Sequence, residues 1–66
     1  MLEEHLRLAK AHATQGAQHI EHQREIVAHL ERDGHDTAIA RELLRTMEES
    51  QVMHVADVAR LERELA

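Results

Sequence analysis

Asp33-Gly34-His35-Asp36 lies almost at the midpoint of a 66-residue sequence and holds one of its two glycines. On either side of it, apolar residues recur at steps of three and four along nearly the whole half-chain, which is the mark of long amphipathic helices. Gly34 can take the left-handed conformation that commonly ends a helix. Asp36 is suited to accept the first free backbone N–H groups of the next one. No proline interrupts either half. A connection this short makes its two helices antiparallel neighbours. The expected fold is all-α: a single helical hairpin over residues 1–66, with one helix over about 2–32, the hinge at 33–36 and a second helix over about 37–65.

Outward from the hinge toward the N-terminus, Leu2, Leu6, Ala9, Ala13, Gly16, Ile20, Gln23, Val27 and Leu30 form an unbroken heptad seam. Glu3 and Glu4 stand in the first turn, where the helix dipole favours negative charge, and Glu3 is placed to pair with Arg7. The middle of the seam is small and polar. Gly16 in a helix costs about 1 kcal/mol relative to alanine, which points to a packing reason for it. Gln23 has two readings: a polar seam residue that sets register or oligomer state, or a residue at the seam's edge that reaches water.

Toward the C-terminus, Ala40, Leu43, Met47, Ser50, His54, Leu61 and Leu65 make the expected inner stripe, with Leu44, Gln51 and Val58 beside it. Pairing about the hinge places Gly16 against His54, so that the residue needing room faces the one providing it. The expected hairpin core is Leu6, Gly16, Ile20, Val27, Leu30, Leu43, Met47, His54 and Leu61. Val52, Val55, Ala56 and Ala59 form a second apolar stripe on another face of the second helix. A helix apolar on two faces is buried on two faces. The second stripe is therefore the expected interface with another copy of the chain, giving a homodimeric four-helix bundle.

Composition agrees with that need. A short chain without cysteines has no disulfide staples, and the absence of aromatic residues thins its core, so oligomerisation is the expected remedy. A net charge of −5, with acids and bases interspersed, argues against nucleic-acid partners and against a polybasic membrane contact. No apolar run approaches a membrane span, the N-terminus does not read as a signal peptide, and the cytoplasm is the expected compartment.

Seven histidines are many for this length; protonating all of them would move the charge from −5 to +2. His5, His12 and His19 are spaced by seven along one side of the seam, while His22 and His29 point further outward and His35 belongs to the hinge. The row can be read as a solvated polar flank, as a device for pH-dependent assembly, or as part of a transition-metal or haem site built from His12, His19 and His54. His54 itself reads either as a buried, hydrogen-bonded histidine or as the centre of such a site. The usual helical metal signatures are missing: there is no Glu-x-x-His, no His-Glu-x-x-His and no histidine pair at i,i+4. Ser50 and His54 stand at i,i+4, but a helical hairpin offers no oxyanion donors, so no catalytic residues are expected.

Gln23, Ile26, Leu30, Gly34, Asp36-Thr37, Ala40, Leu43-Leu44, Met47-Glu48, Gln51, His54 and Arg60-Leu61 form a pattern that resembles short, uncharacterised helical-hairpin proteins encoded in proteobacterial genomes. The resemblance covers residues 19 to 61 and implies a helical fold in a bacterial cytoplasm. It implies no activity. The function expected from the sequence is a non-catalytic protein–protein interaction or scaffold module, without a cofactor, acting as a homodimer.

Overall fold

The computed structural model describes residues 1–66. It contains two α-helices and no strand: α1, Leu2–Arg32, and α2, Ala38–Leu65. They pack side by side along their length into a rod of 50 × 14 × 14 Å with a radius of gyration of 15.2 Å.

The hinge forms because α1 ends in a Schellman motif. Gly34 has φ +74°, in the left-handed region that favours glycine. The His35 N–H donates to the Leu30 carbonyl at 2.9 Å, and the Gly34 N–H donates to the Glu31 carbonyl at 3.1 Å. These bonds satisfy carbonyls that the helix end would otherwise leave free. The expected cap of α2 is shifted by one residue: Thr37 occupies the cap position. Asp36 still serves that end, because its Oδ1 accepts the Ala38 N–H at 2.9 Å.

On α1 the inward residues are Leu6, Ala9, Ala13, Gly16, Ile20, Gln23, Val27 and Leu30, the stripe that the heptad spacing predicts. Leu2, at the open end, is exposed. On α2 the inward residues are Ala40, Leu44, Met47, Gln51, His54, Val58 and Leu61. This corrects the expected stripe and the expected core. Leu43 is 48% exposed, and Ser50 and Leu65 also face solvent. The physical reason lies in the rotation of α2 about its axis. Leu43-Leu44 and Ser50-Gln51 each offer two neighbours for one seam position, and successive residues differ by roughly 100° around a helix. The orientation adopted directs Gln51 to α1, where its side chain finds both space and a hydrogen-bond partner.

The register is corrected with it. Gly16 faces Gln51, not His54: a β-carbon on Gly16 would lie 2.0 Å from Gln51 Oε1 and 3.0 Å from its Cδ. Gly16 does provide room for a large side chain, but for the one a turn earlier in α2. Gln51 Nε2 donates to the Ala13 carbonyl at 2.7 Å. Gln23 answers from the other helix, its Nε2 donating to the Ala40 carbonyl at 3.0 Å. Each glutamine thus staples its own helix to the backbone of the other, using a second lone pair on a helical carbonyl. Gln23 is only 6% exposed, which excludes its placement at a wet edge.

The core is thin. Ala9, Ile20, Val27 and Leu61 are its buried apolar residues, and no side chain is fully enclosed. Beside the seam, residues spaced by seven pair across the helices. Lys10 meets Glu62 at 3.8 Å, Arg24 meets Glu48 at 3.1 Å, and Arg41 meets Glu31. Ala17 and Val55 hold the remaining step of this series, between the first two ion pairs. Arg7, expected to pair with Glu3, pairs with Glu4 instead.

Candidate functional site

The two long edges of the hairpin differ in chemistry, because the residues flanking the seam differ. On α1 the position just after one seam residue of each heptad holds Lys10, Ala17, Arg24 and Glu31. The position just before the other holds His5, His12, His19 and Ile26. The first edge is ionic with an apolar gap. The second carries histidines.

On the histidine edge, His54 projects from α2 toward the row on α1. The rings of His12 and His54 lie with centroids 5.9 Å apart and planes tilted by 50°. They share two adjoining clefts. One, of about 210 Å³, is completed by His5, Leu8, Ala9, Asp57 and Leu61. The other, of about 220 Å³, is completed by Gln15, Gly16 and His19. Asp57 is held by Arg60 at 3.8 Å. His54 is half-buried, while His5, His12 and His19 are exposed. Of the trio His12, His19 and His54, the hairpin brings the first and last into ring contact and sets His19 on the wall of the cleft beside them. No three histidine or carboxylate side chains converge closely enough to hold a metal ion together.

The remaining histidines lie away from this pair. Arg32 Nη2 lies 3.0 Å from His29 Nδ1 and donates to it, and His22 Nδ1 lies 3.9 Å from Glu25. His35 is exposed in the hinge. Ser50 borders a cleft that His54 also lines, together with Gly16, His19 and Gln51.

On the ionic edge, the second stripe of α2 is unpartnered. Val52 is 68% exposed and Val55 54% exposed; Ala56 is exposed and Ala59 half-buried. Val55 and Ala59 line a groove of about 380 Å³ with Val58 and, from α1, Lys10, Ala13 and Thr14; Glu62 closes it. Met53, the residue after Val52 and so turned roughly 100° from it, is also exposed. Apolar side chains here are bracketed along the rod by the Lys10–Glu62 and Arg24–Glu48 pairs.

The sequence reading missed Gln51 as a contact residue and missed the ladder of cross-helix ion pairs. Both had signals. Gln51 stands three residues before His54, a full seam step, and the small Ala13 and Gly16 lie in the seam opposite. The ladder is written in two series at steps of seven: residues 10, 17, 24 and 31 on α1, and residues 41, 48, 55 and 62 on α2. No helix is long and apolar enough to cross a membrane. No family model, no curated protein and no solved structure matches the chain.

Proposed function

We propose that the chain is a protein–protein interaction module whose first partner is a second copy of itself, the two hairpins packing through the Val52, Val55, Ala56 and Ala59 stripe into a four-helix bundle. The observation that carries this reading is surface area. The single hairpin exposes 5070 Å². A folded monomer of 7.6 kDa would expose roughly 4300 Å². The surplus, roughly 800 Å², is the area each partner contributes to a standard interface. Val52 and Val55, 68% and 54% exposed, are the large apolar side chains of the stripe that such an interface would cover. Ion pairs of both signs bracket them, and these suit a two-fold interface in which the same patch meets itself. Burial of this stripe supplies the driving force, since a second helical layer would cover apolar side chains that the single chain leaves in water.

Light scattering combined with sedimentation over a range of micromolar concentrations tests the reading. The expected species has twice the chain mass. Val52→Glu with Val55→Glu should return it to the monomer, whereas Ile39→Glu, the same change at an exposed position near the hinge, should not. A wild-type monomer throughout that range would overturn the homodimer and leave the stripe to a partner of different sequence.

A further inference from the structure

We propose that His12 and His54 form a two-imidazole chelate for a borderline divalent cation such as zinc, nickel or copper. The proposal does not depend on the dimer. It rests on the histidine edge, which lies across the seam from the valine stripe.

The geometry fits a shared ion. With each nitrogen about 2.0–2.1 Å from the metal, two imidazoles on one cation set their ring centres roughly 5 to 6.5 Å apart, depending on the angle at the metal. The observed separation is 5.9 Å, with the rings tilted and not stacked flat. The two side chains come from different helices held in one register by the Gln23 and Gln51 bonds, so the fold brings their backbone positions within reach of one ion, which the unfolded chain does not. Neither cleft beside the pair is lined by a lysine or arginine that would repel a cation. Both clefts are open to solvent and have room for the waters that would fill the remaining coordination positions. No third histidine or carboxylate converges on the pair, so the protein donors are the two nitrogens. Imidazole donors favour zinc, copper and nickel over calcium and magnesium, which take oxygen ligands.

The site has a plain chemical requirement: both histidines must be neutral, so protons compete with the metal. His54 is the only histidine of α2. Every cross-helix chelate on this edge therefore runs through it, with His12 as its ring partner.

Tag-free protein should be titrated with zinc chloride and, separately, nickel chloride by calorimetry at pH 7.5 and pH 5.5, with circular dichroism to verify the fold of each variant. The expected result is one ion per chain at pH 7.5 and at least tenfold weaker binding at pH 5.5. His54→Gln and His12→Gln should each weaken binding at least tenfold at pH 7.5, while His22→Gln and His29→Gln leave it unchanged. His12→Gln alters an exposed side chain, so its result stands even if the His54 variant unfolds. Val52→Glu with Val55→Glu should bind as the wild type does, because the site lies within one hairpin. Wild-type affinity in the His12 variant, or equal weakening by all four histidine substitutions, would overturn the chelate. So would loss of binding in the valine variant with its helices intact, or an absence of binding in the wild type at both pH values.

Discussion

Gly16 and Gln51 are a matched pair in which each residue makes sense only through the other. The Gln51 amide occupies the space a β-carbon on Gly16 would need, and from there it reaches the Ala13 carbonyl. Its Oε1 is buried without a donor. In that position it lies over the Gly16 backbone, where a weak Cα–H contact is the interaction open to it. Gly16→Ala gains about 1 kcal/mol of helix propensity but displaces the amide and its hydrogen bond, worth about 0.5–1.5 kcal/mol. The single variant should therefore show little or no gain in stability. In a Gln51→Ala background the same change should stabilise by about 1 kcal/mol, since only the propensity term remains. A double-mutant cycle by urea denaturation measures the coupling; additivity within error would refute the pairing. Gly34 presents the opposite case. A side chain there would meet nothing within 4 Å, so its cost is conformational alone. Gly34→Ala should lose about 1–2 kcal/mol from the left-handed backbone. Gly34→Asn should lose less, because asparagine tolerates that region, and thermal melts of the two would rank them.

At the scale of the helices, the stripe on α1 could be read directly and the stripe on α2 could not. In α1 Leu6, Ile20 and Leu30 have only polar neighbours, which leave one choice and fix the stripe, even though Leu8 stands beside Ala9 and Ile26 beside Val27. In α2 Leu43-Leu44, Ser50-Gln51 and Asp57-Val58 offer adjacent alternatives, and hydropathy favours neither Leu43 nor Leu44. What decides among them is a polar contact across the seam, the Gln51 bond to Ala13, which periodicity does not encode. Turning α2 to satisfy it carries Leu43 outward and moves the partner of Gly16 from His54 to Gln51. His54 remained inward under either rotation, so it was legible as a candidate metal ligand together with His12, while its expected pairing with Gly16 was not kept. The same turn aligns the ion-pair ladder. These pairs are half-exposed, and each is worth at most about 1 kcal/mol. Lys10→Glu or Glu62→Lys alone should cost a few tenths to about 1 kcal/mol by setting like charges together. The double exchange should recover most of the loss. In 1 M salt, where the screening length is about 3 Å, the single variants should approach the wild type. Denaturation at low and high salt checks both statements.

For the whole molecule, the long axis is more than three times either short axis, and the radius of gyration of 15.2 Å exceeds the roughly 11 Å of a compact domain of this length. Elongation leaves the hairpin with two chemically distinct edges, a valine stripe and a histidine row, on opposite sides of one narrow seam. A ligand on one edge need not obstruct a partner on the other. The rod also has a consequence for how the molecule turns in solution. Backbone N–H bonds in a helix lie close to its axis, and here both axes run along the rod, so nearly every amide reports end-over-end rotation. Nitrogen-15 relaxation should therefore give one nearly uniform, slow correlation time across Leu2–Arg32 and Ala38–Leu65, broken at residues 33–37 where the chain crosses between helices. A lateral pairing of two hairpins would thicken the rod without greatly lengthening it. Those amides would then slow much less than a doubling of mass implies for a sphere, and their uniformity would persist.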